Sequence, residues 1–504
     1  MILPEDSPPQ WGEQRAPGRL AVRDRRGAGG PAGAASDVPA APGLRRVLGF
    51  RDVVLFLVAA VVSTRWIAAA AAAGPSALAL WVIAFLALFV PLGLTVLELS
   101  SRHPDEGGIY VWVREAFGSF AGFMTAWMYW ASNLVYFPGL LYFVAANALF
   151  VGGPQWLGLS DSAPYFISVT LGGIAIAFVL HLVGLNVGKW LHNAGAVGTW
   201  MPVAMLIAVG AVAWVRGGPA IALDPAAWRP HAGLKELTLW SSLAFAFAGL
   251  EVAPLLAGEI VAPRRTLPRA LLAAGALITA TYVLGTLAIL VAMPGREASG
   301  LQGILQAIQV GGARVGLPAA LAPAAAALIT VGGLGQVAAW LAGGARLPFV
   351  AGIDRLLPPA FARTHPRWGT PWVALLVQAL GAALFALLGQ AGTSVRGAYD
   401  ALVSMTVIAY FVPYLLMFAA LIRIQGEPAG PQVIRVPGGR PAAILVGALG
   451  MISTAVSIAV AVMPPPGSEA PAIAALKVVG SSLLLAGGGA LLYGWGSPRR
   501  VGRA

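Results

Sequence analysis

Two ionisable side chains stand inside long apolar runs: Arg65, in Ser63-Thr64-Arg65-Trp66, and Glu251, closing Phe245-Ala246-Phe247-Ala248-Gly249-Leu250-Glu251. A charge at the centre of a bilayer costs ~2.5–3.5 kcal/mol on insertion scales. Arg65 should therefore face a cavity or a partner, although a structural ion pair or a side chain reaching the outer surface would also relieve it. Glu251 should be protonated, paired with a cation or hydrated. Gly249 weakens its helix, and Pro254 removes a further backbone donor, so the run is either an interrupted helix or a kinked packing helix. An interruption at membrane depth frees peptide N–H groups for a carboxylate and carbonyls for an ammonium group. A guanidinium can also hold a carboxylate through two parallel bonds. A small α-amino acid carries both of the groups such a site would take.

Polar residues recur at helical spacing elsewhere. Tyr129, Asn133 and Tyr136 fall at i, i+4 and i+7, and Thr406, Tyr410 and Tyr414 at i, i+4 and i+8. Gln336 and Trp340 share a face. Each stripe fits either a lined cavity or hydrogen bonding between helices. Trp81, Trp112, Trp190 and Trp214 lie near the ends of apolar runs, which reads as anchoring at a membrane surface.

The elements that must position these residues are membrane helices. Of the 504 residues 58% are hydrophobic and 10% charged, too few charges to coat a water-facing globule. The 63 glycines and 38 prolines also suit membrane helices. A span needs about 20 apolar residues. Such runs lie near 52–73, 78–100, 119–150, 164–184, 190–214, 237–258, 268–293, 319–345, 371–389, 398–422, 441–463 and 471–493, about twelve in all. The two flawed runs are the first and the sixth. With both termini inside, the inner loops hold sixteen Lys and Arg and the outer loops six, which orients the chain with N- and C-termini in the cytoplasm of an inner (plasma) membrane. The net charge of +12 is spread over these loops, so nucleic-acid binding is not expected. Residues 1–45 read as a disordered cytoplasmic tail without signal-peptide features, unless the start site lies further on, and 496–504 as a basic tail. Zero cysteines exclude disulfides and thiolate metal sites, and the five histidines show no ligand spacing. No cofactor is expected.

Four motifs resemble those of the amino acid–polyamine–organocation permeases. Glu98-Leu99-Ser100-Ser101-Arg102-His103-Pro104-Asp105-Glu106-Gly107-Gly108-Ile109-Tyr110, running on to Ala116-Phe117-Gly118, is similar to that family's helix-2 to helix-3 signature. Phe245 through Glu251, with Gly258-Glu259, Pro263 and Pro268-Arg269, resembles its sixth helix and the following loop. Arg346, Gly352, Asp354, Leu357, Pro358 and Thr370-Pro371 resemble the loop after helix eight, and Arg435-Val436-Pro437-Gly438-Gly439 the loop before helix eleven. The resemblance implies an all-α polytopic fold of the LeuT-like type. It would comprise two inverted repeats of five helices (about 50–215 and 237–423) and two extra helices (about 441–493), all within a transmembrane domain at 46–495. It implies alternating access coupled to an ion such as a proton, or to a counter-substrate. The substrate would be an amino acid bound by Ser63, Thr64, Arg65, Trp66, Tyr129, Asn133, Phe245, Phe247, Ala248, Gly249 and Tyr410, with Glu251 and Trp340 in coupling or gating. Two departures stand out. The family's Gly-x-Gly in helix 1 is replaced by Ser63-Thr64-Arg65, and the run from Trp190 to Trp214 lacks the lysine that some relatives carry.

Other functional classes make different demands of the sequence. A receptor retaining the permease fold would bind without flux and would usually need a soluble signalling domain. A polyamine or organocation carrier needs desolvated carboxylates, and only Glu251 and Glu98 are available at membrane depth. No Ser/His/Asp constellation suggests an enzyme, and no Gly-Lys-Ser/Thr loop suggests an ATP-driven pump. With Arg65 present, neutral or acidic amino acids are slightly favoured.

Overall fold

The computed structural model describes residues 48–103, 108–183, 185–221, 225–231, 233–256, 260–294, 297–344, 357–431, 433–464 and 471–496. The tails at 1–45 and 497–504, the motif residues Pro104 to Gly107 and Gly258-Glu259, and Arg346, Gly352 and Asp354 lie outside these ranges.

Helices fall within a few residues of the apolar runs. α1 (Phe50–Val61) and α2 (Thr64–Ala71) form one bent element, followed by α3 (Ser76–Arg102), the short α4 (Ile109–Phe117), α5 (Ser119–Ala148), α6 (Ala163–Val183) and α7 (Leu185–Gly217). α8 (Leu234–Ala246) gives way to a tight turn at Leu250–Leu256, and α9 (Pro263–Ala292), the short α10 (Gly303–Arg314) and α11 (Leu321–Gly344) follow. α12 (Trp372–Gln390), α13 (Val395–Ile424), α14 (Gly439–Val462) and α15 (Pro471–Gly496) complete the order. Among the described residues the sole β contact is one parallel bridge between Leu48 and Ile260.

Nine of the described helices are long and apolar enough to cross a membrane, and the bent pair α1–α2 makes a tenth. The expected twelve spans differ from this count at the third and sixth elements. α5 has 30 residues, but Ser132, Asn133, Asn147 and several tyrosines dilute its apolar content. Most of α5 is buried in protein, so it needs no lipid-matching surface. α8 has only 13 residues before its break. Both departures fall where a polar interior is assembled.

Two devices set how the helices sit together. α7 and α11 touch through glycines: a Cβ added at Gly198 would lie 2.4 Å from the Leu328 carbonyl oxygen and 2.5 Å from the Gly332 nitrogen. Only a bare backbone permits that approach. Arg314, ending α10, donates to the carbonyls of Val291 and Ala292 at 3.2 and 3.1 Å, and to those of Gly217 and Gly218 at 3.5 and 3.2 Å. One guanidinium thus caps the C-terminal ends of α7 and α9, where helix dipoles favour a cation.

Candidate functional site

The first element breaks without a glycine. Val62 (φ −70°, ψ 122°) and Ser63 (φ −130°, ψ 128°) are extended, and the axis turns by 51° between α1 and α2. The run Val61-Val62-Ser63-Thr64 consists of β-branched and hydroxyl residues, which lower helix propensity enough for a tertiary contact to open it. The sixth element breaks at Phe247 to Gly249, with Gly249 at φ +120°, a region that disfavours any side chain.

Both breaks open on one hollow. Its lining includes Ser63 and Trp66 from the first element, and Phe245, Ala246 and Ala248 from the sixth. Ser132, Asn133 and Tyr136 of α5, Trp340 of α11 and Tyr410 of α13 close it. Its volume is small, ≈30 Å³. That admits a few waters, and an amino acid requires the wall to part. The tightness comes from rings: Trp66 meets Phe245 edge-on at 5.5 Å, Phe245 meets Tyr410 at 5.4 Å, and Tyr136 meets Trp340 at 6.4 Å.

Glu251 sits beside this hollow in a cage of donors. Tyr129 and Tyr410 donate to Oε1 at 2.8 and 2.6 Å, and Tyr414 donates to Oε2. The Gly249 N–H approaches Oε2 at 3.2 Å and the Tyr414 hydroxyl at 3.0 Å. Glu251 is 1% exposed, and among the described residues no cation pairs with it. Four donors on two oxygens replace that cation, and they join the third, sixth and tenth elements through one carboxylate. Thr406, on the same stripe as Tyr410, bonds to the Leu402 carbonyl of its own helix instead.

Arg65 is 1% exposed but does not line the hollow. Its guanidinium lies over the rings of Trp66 at 4.2 Å and Tyr136 at 4.8 Å, and Nε and Nη2 have no hydrogen-bond partner among the described residues. Cation–π contact offsets part of the burial cost. Thr64 borders a separate narrow gap together with Gln336, Gly198 and Gly332. Phe247 turns away from the hollow, against Trp81, Phe89 and Tyr282. Glu98 is committed to structure: Arg102 donates to its Oε1 at 3.1 and 2.8 Å, Gln425 at 2.8 Å, and the Val436 N–H reaches Oε2 at 2.9 Å.

Trp81 and Trp112 are not surface anchors. They are 0% and 1% exposed, because position near a span's end in the sequence does not say which way a side chain faces. Trp81 stacks on Tyr282 at 4.4 Å and donates to the Thr286 hydroxyl at 3.0 Å. Trp214, 45% exposed, does face outward. Tyr282 is the residue the sequence reading passed over. Its hydroxyl reaches both helix breaks, and its one sequence signal is a phenol at mid-span in a long, mostly apolar run.

Comparison with known proteins agrees with this geometry. The solved structure of MhsT in complex with L-phenylalanine superposes with a TM-score of 0.56 at 13% identity, covering 81% of this chain and 97% of that one. The fold is therefore that of the LeuT-like transporters. An uncharacterised transporter of Legionella pneumophila is 31% identical over 84% of this chain and 90% of its own length. From Lactococcus lactis, a probable agmatine/putrescine antiporter is 23% identical (78% of this chain, 83% of the relative) and a glutamate/gamma-aminobutyrate antiporter 25% identical (75% and 76%). Residues 48–482 match the amino acid permease family throughout. A helical bundle broken twice around one hollow, carrying that match over most of its length, belongs to the amino acid permease family of membrane transporters.

Proposed function

We propose that the chain is a secondary active transporter that carries a neutral or acidic amino acid by alternating access, as an exchanger or coupled to protons. It would work in the inner (plasma) membrane with both termini in the cytoplasm. The observation that carries this reading is the convergence of Ser63 and Ala248, each in a stretch of unwound backbone, on one hollow. Unwound backbone at membrane depth is tolerated only beside protein or a cavity, and inverted-repeat carriers bind substrate at such breaks. Ser63, Trp66, Asn133, Phe245, Ala248, Tyr410 and Trp340 would contact the substrate.

Arg65 supports a carboxylate-bearing cargo. Its charge is buried without a carboxylate partner among the described residues, so nearby anions are favoured and dications repelled. Glu251, beside the hollow, is already saturated by donors, which leaves little to hold an organic diamine. Protonating Glu251 would turn one acceptor into a donor and expel a tyrosine hydroxyl. That gives a proton a way to loosen the third, sixth and tenth elements together.

Counterflow in proteoliposomes tests the reading. Vesicles loaded with glutamate, gamma-aminobutyrate, leucine, phenylalanine, agmatine or putrescine are assayed for trans-stimulated uptake, with and without a pH gradient. Stimulation by an amino acid is expected. Stimulation by agmatine and putrescine alone would overturn the assignment of cargo.

A further inference from the structure

Tyr282 lies on α9, outside both broken elements, and its hydroxyl meets each of them. It stands 2.9 Å from the Val61 carbonyl, the last of α1, and 3.0 Å from the Ala246 carbonyl, the last of α8. It also accepts from the Ser63 N–H at 3.3 Å, the cap position of α2. Terminal carbonyls and amides have no partner within their own helices, and buried ones need one from elsewhere. Here two helix C-termini and one N-terminus share a single phenol. That phenol cannot drift, because its ring is fully buried, stacked on Trp81 at 4.4 Å and 6°, with Trp81 itself held by Thr286. Phe247, inside the second break, packs edge-on against the same ring at 5.6 Å.

A hydroxyl carries one proton, and two carbonyls claim it. If α9 shifts, both lose it at once. We propose that Tyr282 is a positioning residue that makes the two breaks a single mechanical unit, so that the unwound segments of the first and sixth elements change geometry together. Its role in transport rests on the function proposed above; the coupling of the breaks does not.

Hydrogen–deuterium exchange on the purified full chain reads that coupling without any substrate. Tyr282→Phe keeps the ring and the Trp81 stack but loses the proton and the acceptor. Exchange should rise about fivefold, as for loss of one ordinary hydrogen bond, in peptides covering both 61–65 and 246–250. Tyr414→Phe, which removes one of the two acceptors of the Gly249 N–H, should affect the second segment alone. A rise at only one break in Tyr282→Phe, or at neither, overturns the proposal. Should Tyr282→Phe exchange faster everywhere, Tyr282→4-aminophenylalanine decides. Its two N–H donors can serve both carbonyls, and protection must return at both segments for the proposal to stand. In counterflow, Tyr282→Phe should cut turnover with equilibrium substrate affinity little changed. If the wild type carries none of the tested solutes, the transport reading fails while the exchange result still judges the coupling.

Discussion

At Glu251 two oxygens accept from three tyrosines and an amide. An amide side chain offers one acceptor and two donors in the same space, so Glu251→Gln leaves at least one buried hydroxyl misdirected, a cost of about 1–3 kcal/mol. Transport by Glu251→Gln should lose its pH dependence while expression persists; an unchanged pH profile would remove Glu251 from coupling and leave it a structural tie. Arg65 makes a sharper division. Arg65→Ala should reduce uptake of carboxylate-bearing substrates relative to cationic ones, because it removes a buried positive charge behind the wall of the hollow. Arg65→Lys should recover little, because an ammonium does not fit flat between two rings. Equal uptake by all three proteins would dismiss the guanidinium from recognition. The charges themselves were legible in the sequence, because an Arg or Glu inside an apolar run stands out. Their surroundings were not: Tyr129 and Tyr410 reach Glu251 from 122 and 159 residues away, and Tyr282 reaches Val61 across 221.

Breaks belong to the scale of elements. Gly249 at φ +120° could be read from its place before a carboxylate and a proline. The break near Arg65, marked in the sequence by a charge in mid-run and not by Gly-x-Gly, forms at Val62 and Ser63, where β-branched residues meet outside hydrogen-bond partners. Gly249→Ala forces a Cβ to within 3.3 Å of Val61 Cγ2 in a backbone region that costs an alanine about 1–2 kcal/mol. Slower uptake in counterflow and a lower melting temperature are expected. The glycine seam admits even less: Gly198→Leu drives a side chain into the backbone of α11 and should abolish folded protein, visible as loss of the monodisperse peak on size exclusion. Arg314→Ala uncovers the ends of two helices and should cost about 1–2 kcal/mol, measured as a drop in thermal midpoint with substrate affinity intact.

For the whole molecule, hydropathy and loop charge together were enough to recognise a polytopic bundle, because lipid imposes length and apolarity on each span separately. The exceptions, α5 and α8, are informative for the same reason: protein rather than lipid surrounds α5, and α8 stops where the hollow begins. The chain's distribution of Lys and Arg makes a topological prediction. Of single cysteines placed at Arg216 and at Arg363 in this cysteine-free protein, the first should be labelled by an impermeant thiol reagent in intact cells and the second only once the membrane is permeabilised. Labelling of both in intact cells, or of neither, would break the twelve-span alternation.

The π-turn at Phe85–Phe89 sets a phase within α3. Before it, Trp81 faces α9; after it, Glu98 faces Gln425 and Val436. Removing Ala87 would restore a regular helix and rotate one half against the other by roughly 100°, one residue's share of a turn. Either anchor could then be docked, never both. A single-codon deletion far from any charge would thus disconnect the Tyr282 side of the protein from the Glu98 side, although every anchoring side chain would still be present.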